Sequence, residues 1–248
     1  MRFPIDSAAE PENLTAYFAS GDVLRSRSVG EAVLAGRIKI PAPPPRLLAD
    51  WERETSSRWT LEPGDVETLP LARARMRWPG YRDALAAVSA WTVVSGLHDL
   101  LASSDVALMA CRGARYHHDA AQYGGAAFCN LFLTPDKGLD VHFPVADRRV
   151  RLEQGTVMIF DTAQSHAVVR RGAVGFDAVD FAWPDDCLQV FLTWELSLEN
   201  AGLRRALDIT LDVDPGGASR LEDSQVQVDG VSASVCPASG RWLRADRS

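Results

Sequence analysis

The sequence predicts a mainly β fold with flanking helices, whose core is a double-sheet barrel of the jelly-roll type. Seven short apolar, strand-like runs follow one another within about 90 residues, and turn residues separate them. Two of the separating segments, residues 134–138 and 153–155, have the composition of hairpin turns. An amphipathic helical pattern precedes the runs and is expected to cover a sheet. The runs are residues 106–111, 128–133, 140–143, 150–152, 156–160, 166–169 and 188–196.

The segments on either side of these runs differ from them in composition. Residues 1–80 are rich in proline, carry short helical patterns at 29–34 and 46–51, and are predicted to form an N-terminal arm that wraps the core. From residue 81 to 101 apolar residues recur every three or four positions, which indicates a helix at the start of a jelly-roll core spanning residues 81–200. A helical pattern at 203–207 and a hairpin around Asp229 and Gly230 predict a C-terminal extension, residues 201–248, packed on that core.

Composition narrows the class of function. The 248 residues are 46% hydrophobic and 24% charged, as in globular enzymes, and no apolar run approaches the length of a membrane span. The N-terminus meets Pro4 and Asp6 before any apolar stretch, so we expect no secretory signal and a cytoplasmic location. The formal charge of -7, from 26 basic and 33 acidic residues, argues against a nucleic-acid or anionic-membrane partner. Neither nucleic acid nor a membrane is therefore expected as a partner.

One group of residues has the pattern of a metal site. Side chains two apart in a strand share a face, so His117 and Asp119 should project together while His118 points away. His166 follows the turn at 153–155 and an apolar strand, and a barrel can bring two such strands together across its mouth. Two imidazoles and one carboxylate form the facial triad that is typical of non-haem iron(II) oxygenases. The sequence thus predicts a metal held by His117, Asp119 and His166.

The region from residue 81 to 197 also resembles the 2-oxoglutarate and iron(II)-dependent dioxygenases, especially their prolyl-hydroxylase-like members. The resemblance rests on Arg115-Tyr116-His117-His118-Asp119, on the strands at 130–133 and 139–143, and on the segment from Gly155 to Phe160 that leads to His166. It implies a double-stranded β-helix in which His117, Asp119 and His166 bind Fe(II) and carry the catalysis. It also implies 2-oxoglutarate as cosubstrate and dioxygen as the second reactant. Because halogenases of this kind replace the carboxylate, Asp119 favours hydroxylation, desaturation or ring formation of a small-molecule substrate over halogenation.

The sequence departs from this family at one position. Members carry an Arg or Lys about ten residues after the distal histidine, which binds the far carboxylate of 2-oxoglutarate. Phe176 and Asp177 stand there instead, and the last predicted strand has no basic residue. Arg170 should share a strand face with His166, and Arg115 with His117. The predicted cofactor-binding residues are Arg170, Arg115 and Asn130, with Lys137 as a further candidate anchor.

Two other functions fit the same residues. A cupin-like metalloenzyme would use the triad with zinc, manganese or iron and without 2-oxoglutarate. In a non-catalytic jelly-roll binding module, the triad would be incidental. The sequence leaves these alternatives open.

Overall fold

The computed structural model describes residues 13–57, 62–102, 104–182 and 186–245. Within these ranges the strands are β1 (Leu14–Ser20), β2 (Val23–Ser28), β3 (Leu34–Arg37), β4 (Val66–Leu69), β5 (Val106–Cys111), β6 (Ala114–His117), β7 (Ala126–Phe132), β8 (Leu139–Phe143), β9 (Arg148–Arg151), β10 (Thr156–Asp161), β11 (His166–Arg170), β12 (Gln189–Ser197), β13 (Gln225–Val228), β14 (Val231–Val235) and β15 (Trp242–Arg244). The helices are α1 (Pro45–Ser57), α2 (Leu71–Arg77), α3 (Tyr81–Val94), α4 (Ala120–Tyr123), α5 (Ala201–Leu207) and α6 (Pro215–Ala218), and a 3-10 turn spans Ala178–Phe181.

Two antiparallel sheets form the core. One has six strands in the order β3-β10-β7-β12-β5-β4, and the other has four in the order β6-β11-β8-β9. From β5 to β12 the chain passes repeatedly between them: β5, β7, β10 and β12 lie in the first sheet, and β6, β8, β9 and β11 in the second. This is the arrangement of a jelly roll, or double-stranded β-helix. The predicted fold class is confirmed, and each of the seven predicted runs overlaps a strand. The predicted hairpins at 134–138 and 153–155 are wrong, because these segments connect strands of different sheets, β7 to β8 and β9 to β10.

Strand β10 of the six-stranded sheet is buried on both faces, which explains its continuous apolar run from Val157 to Phe160. In β10, Val157 and Ile159 belong to an outer cluster with residues of α1, α3 and α5, whereas Met158 and Phe160 belong to the cluster inside the barrel. Helix α3 is shorter than the predicted 81–101, because Gly96 follows it with a φ of 79°. None of the helices in the described ranges is long and apolar enough to span a bilayer.

The two ends of the chain combine in a third sheet. Its order is β15-β14-β13-β1-β2, so β1 of the N-terminal arm pairs with β13 of the C-terminal extension. Asp229 and Gly230 connect β13 to β14 with φ values of 48° and 78°, which is the two-residue hairpin turn that the sequence predicts. The predicted helix at 29–34 is wrong. Its last residue instead begins β3, which pairs with β10 at the edge of the six-stranded sheet.

A buried ion pair connects the arm to the core. Arg27 on β2 and Asp161 at the end of β10 have fully buried side chains, and the two guanidinium nitrogens donate to the two carboxylate oxygens over 2.7 and 2.6 Å. The remaining hydrogen-bonding capacity is also used. Arg27 Nε donates to the Gly124 carbonyl, and the backbone N–H groups of Gly30 and Ala163 donate to Asp161. The pair thus has the satisfied geometry that a buried charge needs.

Replacing Arg27 alone should destabilise the protein strongly. Arg27→Met leaves the Asp161 carboxylate buried without its partner, and we expect the free energy of unfolding to fall by about 3–5 kcal/mol. Arg25→Met is the matched control, because Arg25 lies on the same strand but pairs with the exposed side chains of Glu199 and Asp212. That control should lose about 1 kcal/mol or less. Urea denaturation measures both values, and equal losses would contradict the assignment.

Candidate metal centre

The structure brings the three predicted ligands together at one end of the four-stranded sheet. His117 is the last residue of β6 and His166 the first of β11, and the two are directly paired across the strands with ring centres 4.4 Å apart. The Asp119 carboxylate oxygens lie 3.7 Å from His117 Nε2 and 3.6 Å from His166 Nε2. Ligand atoms of all three side chains lie within 4.8 Å of one another. The ring of His118 points elsewhere and packs against Trp242.

Asp119 reaches this position by a route other than strand alternation. Strand β6 ends at His117, and Asp119 lies immediately before α4. Its backbone N–H donates to the Thr162 carbonyl over 2.7 Å, and Thr162 Oγ1 lies 2.7 Å from the Tyr123 carbonyl at the end of α4. The turn between β10 and β11 therefore holds the loop that carries the carboxylate. Sequence patterns missed this turn, since Thr162 carries no motif.

Both imidazoles are oriented by backbone carbonyls. Nδ1 of His117 lies 2.7 Å from the Arg115 carbonyl, and Nδ1 of His166 lies 2.9 Å from the Gln164 carbonyl. A carbonyl oxygen only accepts, so each Nδ1 must be the protonated donor of the neutral ring. Each Nε2 is then left with a lone pair directed toward Asp119. This is the tautomer and support that metal-binding histidines have.

Burial determines the charge state of the group. Burial, followed by the nearby His117, lowers the pKa of His166 to about 3, so this imidazole is neutral at physiological pH. Burial raises the pKa of Asp119, whereas the imidazoles of His117 and His118 act in the opposite direction. A divalent cation would favour the ionised carboxylate and use the two unprotonated nitrogens. The donor set therefore fits a metal ion.

A cavity of about 520 Å³ extends from the triad into the barrel. Its wall is mostly apolar and includes Met109, Phe128, Phe132, Phe160, Val168 and Phe191. Besides the triad, its ionisable lining side chains are Asp105, Tyr123, Glu195 and the buried thiol of Cys111. No Lys or Arg from the described ranges lines it.

Strand β6 contains a β-bulge that decides where Arg115 points. His166 pairs with His117, but two residues further along β11 the partner is Ala114, so β6 holds one extra residue over this stretch. Ala114 and His117 both line the cavity although they are three residues apart, and Arg115 does not. Arg115 is exposed and pairs with Asp65 over 2.7 Å. The alternation that placed Arg115 on the His117 face fails because of the extra residue.

The other two basic candidates also lie away from the cavity lining. Arg170 ends β11, where its Nε donates to the Asp180 carbonyl over 2.8 Å and its Nη1 to the Lys137 carbonyl over 3.2 Å. Its guanidinium lies 5.7 Å from the ring centre of Phe181. Lys137 forms an ion pair with Asp186. Both cations therefore have local partners.

Asn130, by contrast, lines the cavity. It lies in β7 at the centre of the six-stranded sheet, is only 8% exposed, and its Oδ1 has no hydrogen-bond partner in the described part of the chain. Thr193, directly opposite on β12, lines the cavity as well. The sequence signal for Asn130 is an amide in an otherwise apolar strand. The pairing with Thr193 had no such signal.

Known proteins resemble this chain only remotely, and the resemblance is to solved structures. No protein-family model and no curated protein sequence matches the chain. Among solved structures, the viral collagen prolyl hydroxylase of Paramecium bursaria Chlorella virus-1 has a TM-score of 0.35 and 8% identity, over 65% of this chain and 90% of that one. The α-ketoglutarate-dependent epimerase SnoN of nogalamycin biosynthesis has a TM-score of 0.34 and 12% identity, over 66% and 76%.

The vicilin of hazelnut (Corylus avellana) is also similar, with a TM-score of 0.26 and 10% identity over 80% of this chain and 68% of that one. These likenesses are all remote. The fold assignment therefore depends on the strand order, and the metal centre on the geometry of its side chains.

The neutral state of His166 should make the metal-free protein sensitive to acid. The ordinary pKa of this imidazole is about 6.5, so the unfolded chain binds a proton there below that pH. The folded chain binds the same proton only near pH 3. Stability should thus fall as pH is lowered from 6.5 toward 3, by up to about 1.4 kcal/mol per pH unit from this group. Its contribution should be constant above pH 7.

His166→Asn removes this titration and should flatten the slope, as measured by urea denaturation between pH 4 and 7. His98→Asn, at an exposed histidine, is the control and should leave the slope unchanged. An unchanged slope in His166→Asn would contradict the lowered pKa.

Proposed function

We propose that this protein is a mononuclear non-haem iron(II) oxygenase that hydroxylates or desaturates a small molecule. The single observation that carries the proposal is the junction of β6 and β11, where ligand atoms of His117, Asp119 and His166 lie within 4.8 Å of one another and each Nε2 is within 3.7 Å of the carboxylate. Two imidazoles and one carboxylate leave coordination positions for other ligands, as oxygen chemistry requires.

The protein's own residues have separate roles in this proposal. His117, Asp119 and His166 would hold the ion, and bound Fe(II) would supply the reaction with dioxygen. Phe160 and Phe128 exclude water beside the metal position, since the ring of Phe160 packs 4.8 Å from that of His166 and against Phe128. The cavity of about 520 Å³ is large enough for a small organic substrate.

2-Oxoglutarate, the cosubstrate that the resemblance implies, is matched at one end only. Its 2-oxo acid end suits a metal with open positions. Its far carboxylate finds no Lys or Arg among the described lining residues, and the predicted anchors Arg115 and Arg170 have partners outside the cavity. This favours a second candidate, a cupin-like metalloenzyme that uses the same triad without 2-oxoglutarate.

Iron binding should depend on all three ligands. Anaerobic Fe(II) titration of the native protein should give one ion per chain, and His117→Ala, Asp119→Ala and His166→Ala should each weaken binding by about 100-fold or more, since even supporting residues cost 10–100-fold. His98→Ala is the control, because His98 is exposed and does not line the cavity. If Asp119→Ala retained full iron content, the triad would be incidental and the protein a binding module.

Succinate release separates the two enzymatic candidates. With Fe(II), dioxygen and 2-oxoglutarate, a 2-oxoglutarate-dependent enzyme forms succinate, and the cation-free cavity leads us to expect little or none. Oxygen uptake with one bound iron but without succinate would support the oxygenase with a different cosubstrate. Saturable succinate release that Asp119→Ala abolishes would instead show that 2-oxoglutarate binds without a cationic partner.

A further inference from the structure

Asn130 is the starting point for identifying the ligand of the cavity. Its Oδ1 is buried without a hydrogen-bond partner in the part of the chain that the structure describes, and the residue is only 8% exposed. A buried acceptor left unpaired costs about 1–3 kcal/mol. Asn130 also lines the cavity, and rotation of its amide about χ2 would present this oxygen to a bound molecule that donates a hydrogen bond.

The strand register places Asn130 deeper in the barrel than the metal. Phe128, two residues earlier on β7, pairs with Phe160, whose ring packs against His166. Asn130 is one pleat period further along, about 6–7 Å from that level. Thr193 lies opposite it on β12 and adds a hydroxyl to the same part of the cavity. The inner polar site therefore consists of an amide and a hydroxyl.

The charges around the cavity disfavour anions. Asp105 and Glu195 line it and are exposed, and neither forms an ion pair with a described residue. Both are carboxylates, and in the metal-free protein no lining Lys or Arg from the described ranges offsets their charge. A carboxylate entering this space would be repelled, whereas an ammonium group would be attracted.

The rest of the cavity wall favours a ligand that is mostly apolar. Phe132 and Phe191 stack with ring centres 5.0 Å apart and line the cavity beyond the inner polar site. Phe128 and Phe160 line it at the level of the metal. Such a wall recovers free energy mainly by burying apolar surface.

We propose that the cavity takes a mostly apolar molecule, neutral or positively charged, whose hydroxyl or amine group donates a hydrogen bond to Asn130, and that it does not take a dicarboxylate. The proposal rests on the proposed function only in treating this molecule as the substrate of the metal centre. Asn130 and Thr193 then determine specificity, and Asp105 and Glu195 favour cations over anions at the same cavity.

Matched probes test the proposal directly. We would measure the binding of 2-phenylethanol, 2-phenylethylamine, phenylacetate and ethylbenzene to the full-length, metal-free protein, so that no carboxylate can ligate an ion. We expect the alcohol and the amine to bind about 10-fold or more tightly than phenylacetate. Phenylacetate binding as tight as the alcohol would overturn the proposal.

Variants locate the contacts. Asn130→Leu, which is similar in size, should weaken 2-phenylethanol about 10-fold and leave ethylbenzene within twofold, and Thr193→Val should weaken the alcohol less. Glu195→Gln should weaken the amine selectively. Ser197→Ala, on the same strand but outside the cavity lining, is the control. Equal losses for the alcohol and ethylbenzene in Asn130→Leu would show a packing role alone and overturn the assignment.

Two features keep the test independent. If Asn130→Leu does not fold, as judged by thermal unfolding, the probe ranking in the native protein and the Thr193→Val variant still decide the outcome. Because these measurements need neither iron nor turnover, a failure of iron binding or oxygen uptake would overturn the proposed function and leave the ligand class standing. The reverse result would overturn only the ligand class.

Discussion

The buried pair of Arg27 and Asp161 is the interaction on which the rest of the structure depends. Desolvating two charges is costly, and the cost is offset only because every polar atom of the pair has a partner. The partners come from the N-terminal arm, from the loop after α4, and from the turn that leads into β11. That same turn holds Asp119 through Thr162 and presents His166. One ion pair therefore couples the order of the arm to the geometry of the candidate metal centre.

In the barrel, the two faces of the six-stranded sheet have different roles. The outer face of the six-stranded sheet packs against helices, and its inner face borders the cavity. Successive side chains of a central strand such as β10 therefore belong alternately to the outer core and to the interior of the barrel. The four-stranded sheet has fewer strands, and His117 and His166 lie together at one end of it. Because His117 and His166 are paired residues of adjacent strands, their separation is fixed by backbone hydrogen bonds rather than by flexible side chains.

The metal end and the inner end of the cavity have different chemistry. At the metal end, the donor set and its backbone support agree with the resemblance in the sequence. At the inner end, Asn130 and Thr193 line the cavity, no Lys or Arg of the described ranges does, and Asp105 and Glu195 add acidic groups to the lining. The sequence predicted that Arg115 and Arg170 share the strand faces of His117 and His166. In the structure Arg115 pairs with Asp65 at the surface, and Arg170 donates to the Asp180 carbonyl at the far end of β11. The structure therefore supports a metal ion at the triad more strongly than it supports 2-oxoglutarate as the cosubstrate.

Local patterns determined a large part of this protein. Apolar runs located seven strands of the barrel, turn residues located the breaks between them, and the spacing of His117, Asp119 and His166 indicated the candidate metal group. The breaks at 134–138 and 153–155 carry the chain from one sheet to the other, so they are not the hairpins that their composition predicted. Contacts between distant segments lay beyond those patterns. The strands of the arm, the bulge in β6 that turns Arg115 outward, and the pairing of Asn130 with Thr193 follow from register between segments far apart in sequence. The physical reason is that an apolar run specifies a strand and its buried face, whereas its neighbours and the exact end of its alternation are decided by which backbone hydrogen bonds the folded chain forms.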